Sequence, residues 1–363
     1  MGQDQLAGSQ AETKTLTAQC YCTAVHFTLT LPASSLPLKV HLCHCSICRY
    51  THGVAPDFVA PSSLSSMTAY RHATASSTRY FCSTCSCHIG DVGVDDDDWV
   101  ISASIFDANQ DDVPVVWDIR THVNTVSAPG GGLHNWLPRI AGRDMGVWNP
   151  KGTDEIEAAM PGREVGVDGE EILRAQCHCG GVSFAISRPG GGDDNDDDDD
   201  GEAYGEWLSP ADRTKWMACL DVCGDCRLQT GAHAVGWAFV PESRISPPVP
   251  EDLGVGTSKS FASSEGVLRS FCGTCGATVM AYFVCGGARR RGGDGERLLN
   301  VAAGLLRAPE GVLAEKWLTW RTGRLAWAES GTKYDAALTV ALSEGLASWG
   351  RGVHGETLDF NIG

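Results

Sequence analysis

The sequence predicts a mainly β protein assembled from two tandem units. Three observations carry that expectation: cysteine blocks that recur in order, strand-like alternation beside them, and a composition rich in turn formers. The chain has 363 residues, too many for one ordinary core and suited to two domains of about 150 residues each. Forty-three glycines and 16 prolines supply turns for many short strands. A hydrophobic fraction of 42% is enough apolar material for packed cores.

The repeat is the strongest signal. Ala18-Gln19-Cys20-Tyr21-Cys22, with Val25 and Phe27, returns as Ala175-Gln176-Cys177-His178-Cys179 with Val182 and Phe184. Cys43-His44-Cys45-Ser46-Ile47-Cys48-Arg49, followed by Gly53, returns as Asp221-Val222-Cys223-Gly224-Asp225-Cys226-Arg227, followed by Gly231. Phe81-Cys82-Ser83-Thr84-Cys85 returns as Phe271-Cys272-Gly273-Thr274-Cys275. These blocks set the expected organisation: a first unit over 15–150, a linker over 151–171, a second unit over 172–342 and a tail over 343–363. The Asp-rich run 193–200 reads as a solvated loop, since such a run cannot pack.

Alternation of period two marks strands at 25–29, 99–103 and 120–126. After the third block each unit shows strand, loop, strand. The loop tips, Asp95 to Asp98 and Arg289 to Arg291, carry opposite charge and read as surface. The one candidate for a long amphipathic helix lies near residues 335–349.

A formal charge of −17 disfavours nucleic acid and anionic membranes as partners. Residues 1–14 are polar and lack the apolar core of a secretory leader, and no run of about 18 apolar residues is present. The cytoplasm is the expected location. In a reducing compartment the 16 cysteines would stay free or bind metal.

In a strand, side chains at i and i+2 share a face, so Cys20 and Cys22 can aim both sulfurs at one ion. Phe-Cys-x-x-Cys is a knuckle that presents two more thiolates, and four thiolates make a closed, structural zinc site. Cys43, Cys45 and Cys48 would then leave a fourth position free, as catalytic zinc sites do. Spacing alone leaves open which C-x-C joins the knuckle. The count favours four plus three, because the second unit keeps Cys177, Cys179, Cys272 and Cys275 while its other block changes to Asp221, Cys223 and Cys226. Cys87, Cys219 and Cys285 read as buried thiols. His44 and His52 flank the three-cysteine block, with His44 expected to face outward. Trp317, Trp320 and Trp327 read as core or interface aromatics.

Together these motifs resemble the glutathione-dependent formaldehyde-activating enzyme family, which also includes the centromere protein V domain. The resemblance covers both units. It implies an Mss4-like fold of stacked β-sheets around zinc, with Cys20, Cys22, Cys82 and Cys85 holding a structural ion and Cys43, Cys45 and Cys48 a catalytic one. It also implies a second structural set of Cys177, Cys179, Cys272 and Cys275. Two departures stand out: Ser86 replaces the glycine that usually follows the knuckle, which Gly276 keeps, and Asp221 replaces the first catalytic cysteine.

Three thiolates on Zn²⁺ give a site of net charge −1, a weak Lewis acid that still favours sulfur ligands. Chemistry on a thiol fits better than hydrolysis. The family's reaction joins glutathione and formaldehyde reversibly as S-hydroxymethylglutathione. The leading expectation is therefore a zinc-dependent carbon–sulfur lyase acting on glutathione or a related thiol adduct, with Arg49 holding an anionic substrate. The alternatives are a non-catalytic zinc scaffold for a protein partner and a tailoring enzyme for another small molecule.

Overall fold

The computed structural model describes residues 12–51, 64–73, 75–95, 98–107, 115–150, 161–190, 207–283 and 296–362. It is mainly β. In the first half the strands are β1 (Thr13–Gln19), β2 (His26–Pro32), β3 (Leu38–Cys43), β4 (Met67–Tyr70), β5 (Ser77–Cys82), β6 (His88–Gly93), β7 (Trp99–Ile101), β8 (Trp117–Val123), β9 (Arg139–Ile140), β10 (Arg143–Asp144) and β11 (Gly146–Trp148). The second half holds β12 (Glu164–Val165), β13 (Glu171–Gln176), β14 (Ser183–Ser187), β15 (Trp216–Asp221), β16 (Val235–Pro241), β17 (Ile245–Ser246), β18 (Ser258–Ser264), β19 (Val267–Cys272), β20 (Thr278–Phe283), β21 (Leu298–Ala302) and β22 (Leu318–Trp320).

The three alternating segments all become strands, and their ends have local causes. The 120–126 pattern stops at Val123 because Asn124 turns left-handed (φ 58°) and leads into the 3-10 turn Thr125–Ser127. The 99–103 pattern stops at Ile101, and Ala103–Ile105 coils into another 3-10 turn.

Both halves use the same element order around their cysteines. β4-β5-β6-β7 is an antiparallel sheet, and β18-β19-β20-β21 repeats that order inside a seven-stranded sheet that continues through β16, β15 and β22. A register shift falls just before each knuckle, at Tyr80/Phe81 and at Ser270/Phe271. The strand leading into the second block pairs in parallel with a late strand both times, β3 with β8 and β15 with β22.

The halves share one hydrophobic core, whose largest fully buried members include Trp207, Trp216, Trp237 and Trp317. Their contacts are reciprocal. The helix Ser46–Thr51 packs on the 3-10 turn Ala303–Leu305, and the helix Gly224–Thr230 packs on Ala103–Ile105. Gly231 ends the second of these helices with φ 72°, and a Cβ there would stand 2.3 Å from the His88 carbonyl oxygen. A glycine is required both for the turn and for the approach.

Three expectations about organisation meet a different arrangement. Within 151–171, Glu164–Val165 is not linker-like but pairs with β13, so the second half's sheet begins there. The anticipated helix runs Ala336–His354, past the expected boundary at 342, with Asp335 capping it and Trp349 against Trp136 of the first half. Trp317 and Trp320 are buried, but Trp327 is 71% exposed. The Asp run 193–200, the Arg289 to Arg291 tip, His52, Gly53 and Cys285 lie outside the described residues.

Candidate metal centres and the cavity beside them

Cys20 and Cys22 sit in the turn between β1 and β2, not within a strand. The turn, with Thr23 at φ 60°, folds both sulfurs to the same side, and the Val25 N–H donates to Cys20 Sγ at 3.3 Å. The counterpart uses Gly180 at φ 76°, with the Val182 N–H 3.3 Å from Cys177 Sγ. The knuckle after β5 adds Cys82 and Cys85, and the one after β19 adds Cys272 and Cys275. Ser86 and Gly276 close these knuckles in the left-handed region, at 65° and 75°. The serine therefore holds a conformation that favours glycine.

The sulfur spacing discriminates between linkages. Cys20 and Cys22 are 3.6 Å apart, Cys22 and Cys82 3.5 Å. In the second set Cys177–Cys179 and Cys179–Cys272 are both 3.5 Å. A disulfide needs about 2.05 Å. Four sulfurs at about 2.3 Å from one zinc stand about 3.8 Å apart. The donor sets therefore fit a tetrahedral thiophilic ion. Among the thiols themselves, hydrogen bonds from Cys20 and Cys85 hold Cys82 at about 2, while sharing with Cys82 pushes Cys20 up to about 12.

Cys43, Cys45 and Cys48 form a separate cluster, their sulfurs within 4.8 Å of one another. Three donors serve it. The Cys48 N–H reaches Cys45 Sγ at 3.3 Å, Asn124 Nδ2 reaches Cys43 Sγ at 3.2 Å and Arg79 Nη2 reaches Cys48 Sγ at 3.1 Å. Hydrogen bonds shared with Cys43 and Cys48 draw Cys45 down to about 3. Arg79 is 8% exposed and also faces Asp91 at 3.4 Å. Burial works against its charge, but Cys48, Asp91 and Cys45 outweigh that and keep it protonated. A cation placed here offsets the surplus negative charge of a three-thiolate site.

A cavity of about 190 Å³ borders this cluster, and both halves build it. Cys43, His44, Cys48, Arg49 and Trp136 come from the first half; His233, Leu313 and Trp320 come from the second. A wider cavity of about 490 Å³ shares Arg49 and Val312 with it and adds Arg174 and Arg307. Arg49 Nη1 donates to the Ser127 carbonyl at 3.2 Å.

His44 is buried, contrary to the outward orientation expected of it. The Leu137 carbonyl can only accept, so His122 Nε2 donates to it at 2.8 Å and His122 Nδ1 accepts from His44 Nε2 at 2.8 Å. Burial, then His122 and His134, lowers His44 to about 3, so the ring stays neutral. His233 is fixed by similar logic. Tyr334 donates its hydroxyl to the Ala103 carbonyl at 3.1 Å and accepts from His233 Nδ1 at 3.3 Å, which leaves His233 Nε2 as the acceptor. Burial holds His233 at about 3.

Asp221, Cys223 and Cys226 also converge within 4.8 Å. Asp221 Oδ1 accepts from the Cys223 N–H at 2.7 Å and Oδ2 from the Cys226 thiol at 3.5 Å. Burial raises its carboxyl. Arg269 Nη1 lies 3.5 Å from Cys226 Sγ, repeating the Arg79 contact. Arg227, the counterpart of Arg49, donates to the Ser104 and Phe106 carbonyls and stacks over Tyr334, so it serves the interface. Cys87 and Cys219 are buried thiols, as expected.

Four site residues escaped the motif reading. Arg79 and Arg269 each precede a knuckle cysteine by three positions, and extending the third repeat block backward finds them. Asn124 and His233 carry no comparable signal, because only long-range packing brings them to the cluster.

Residues 15–122 match the sequence profile of the family described as "Glutathione-dependent formaldehyde-activating enzyme". Neither the curated proteins nor the solved structures compared with the chain give a match. No described helix is long and apolar enough to cross a membrane.

Proposed function

We infer that the chain is a zinc-dependent carbon–sulfur lyase acting on glutathione or a related thiol adduct, built from two tandem Mss4-like units. The observation that carries this reading is the three-sulfur cluster of Cys43, Cys45 and Cys48 at the edge of a cavity. The match over 15–122 supports it. Zinc held there would supply a thiophilic fourth position that keeps an incoming thiol as thiolate. Cys20, Cys22, Cys82 and Cys85 would hold one structural ion, and Cys177, Cys179, Cys272 and Cys275 another.

The cavities suit a ligand with an apolar reacting end and an anionic body. The inner one is narrow, with Trp136, Leu313 and Trp320 on its walls, and takes the sulfur-bearing part. The outer one offers Arg49 and Arg307 to carboxylates, while Arg174 is paired there with Glu164 at 2.6 Å. In the forward direction the thiol sulfur forms a bond to the carbonyl carbon, the carbon–oxygen π bond opens, and the thiol's proton ends on the hydroxyl oxygen. His233 Nε2 accepts a hydrogen bond from that hydroxyl and orients it. The second unit thus completes the site of the first.

Titration calorimetry of the zinc-loaded protein with glutathione tests the reading. Binding that disappears in Cys48→Ser and weakens at least tenfold in Arg49→Ala is expected. If no low-molecular-weight thiol binds, the chain is a zinc scaffold instead.

A further inference from the structure

The seven-stranded sheet borders a second cavity, of about 590 Å³, that the proposed reaction does not use. Cys219 on β15 and Trp237 on β16 are direct cross-strand partners, as are Phe239 on β16 and Asn300 on β21. Trp237 and Phe239 lie two apart on one strand, so all four side chains leave the sheet on one side. Each of them lines the cavity, and Phe283 and the exposed Trp327 add further aromatic wall.

Two polar atoms on this wall have no hydrogen-bond partner among the described residues: Trp237 Nε1 and Asn300 Oδ1. Their residues are 1% and 5% exposed. Buried donors and acceptors are otherwise almost always satisfied, so an orphaned donor beside an orphaned acceptor marks a place where something else completes the bonding. Arg321, 7% exposed, puts a guanidinium group on the same cavity; Arg324 also lines it but is paired with Asp359 at 2.9 Å and donates to Asn361 Oδ1 at 2.7 Å. Asp221, the one carboxylate among the described residues that line it, is already engaged by the Cys223 N–H and the Cys226 thiol.

We propose that this cavity binds a small aromatic acid bearing a hydroxyl group. The hydroxyl accepts from Trp237 Nε1 and donates to Asn300 Oδ1, which one phenolic oxygen can do at once. Trp237 and Asn300 are diagonal neighbours across β16 and β21, a separation that long side chains and one bridging group cover. The ring lies among Trp237, Phe239 and Phe283, and the carboxylate faces Arg321. The span is right: Arg321 follows β22, two strands from β16, or about 10 Å at about 4.8 Å per strand. A benzene ring with para substituents and part of an arginine side chain fill that distance. A purely apolar ligand would leave both orphaned atoms unsatisfied.

The test is calorimetry on full-length, zinc-loaded protein with 4-hydroxybenzoate, benzoate and phenol. The site is separate from the three-cysteine cluster, so Cys48→Ser should bind these probes as the parent does. We expect 4-hydroxybenzoate to bind at least tenfold more tightly than either single-group probe. Asn300→Leu should bring it down to the level of benzoate. Trp327→Ala, an exposed position on the rim, should weaken all ring-bearing probes several-fold. Equal affinity for the three probes overturns the proposal, as does no binding of 4-hydroxybenzoate at about 10 mM. So does a tenfold preference that survives Asn300→Leu. Should that variant fail to fold, the three-probe comparison and Trp327→Ala still decide.

Discussion

Ser86 shows how one residue sets two effects against each other. Its φ of 65° costs a non-glycine residue about 1 kcal/mol. Its hydroxyl, however, accepts from Gln229 Nε2 at 2.9 Å across the interface, and both residues are fully buried. Ser86→Gly relieves the strain but leaves that amide unsatisfied, which costs about 1–3 kcal/mol, and adds backbone entropy to the unfolded chain. The hydrogen bond outweighs the strain. Ser86→Gly should destabilise by about 1–2 kcal/mol in urea unfolding, and a gain in stability would reverse that ranking. His233 gives a pH counterpart. Its folded value is about 3, below the ordinary value of 6.5, so the unfolded chain binds the extra proton between them. Its contribution is fully present above about pH 6.5 and is lost as pH falls, by up to about 1.4 kcal/mol per unit. Unfolding midpoints between pH 7.5 and 5.5 should fall more steeply in the parent than in His233→Gln.

Among the elements, the knuckles and the three-cysteine turn differ in what depends on them. Each knuckle joins β5 to β6 or β19 to β20 and ties that hairpin to the first C-x-C turn through facing sulfurs. Where such sites hold metal, binding free energy is folding free energy. Cys82→Ser should therefore give insoluble or metal-poor protein. Cys45→Ser should give a folded chain lacking one zinc, measured by circular dichroism and elemental analysis. Equal damage from both would remove the distinction between structural and open sites. The sequence showed the grouping of the cysteines into sets of four and three plainly, because block order survives in both halves. It concealed that Cys20 and Cys22 occupy a turn: residue spacing cannot distinguish two sulfurs on one strand face from two gathered by a left-handed Thr23. It also concealed the cavity, since Asn124 reaches Cys43, and His233 and Trp320 the cavity beside it, from three distant segments that no local pattern links.

At the scale of the whole molecule the halves are alike in path and unlike in chemistry. Each lends its 3-10 turn to the other's cysteine-bearing helix, and the hydroxyl of Tyr21, between two first-half cysteines, donates to the Ser263 carbonyl at 2.7 Å. His178, between the matching pair, bonds Tyr70 at 2.7 Å. Reciprocal packing of this kind joins the halves even where the chemistry of the second has changed. That change is at Asp221. Its oxygens are satisfied by the Cys223 N–H and the Cys226 thiol, burial favours its protonated form, and a mixed oxygen–sulfur set holds zinc less well than three thiolates. Two four-sulfur sets and one three-sulfur set predict at least three zinc ions per chain in anaerobically purified protein, with the fourth position weak or empty. Cys43→Ser should remove one zinc and abolish thiol-adduct turnover, while Asp221→Asn should keep near-parental zinc content and turnover. Loss of turnover in Asp221→Asn alone would move the reaction to the second half and make its carboxylate a ligand or a base. One zinc or none, with disulfides found by mass spectrometry, would overturn the assignment of every cysteine cluster at once.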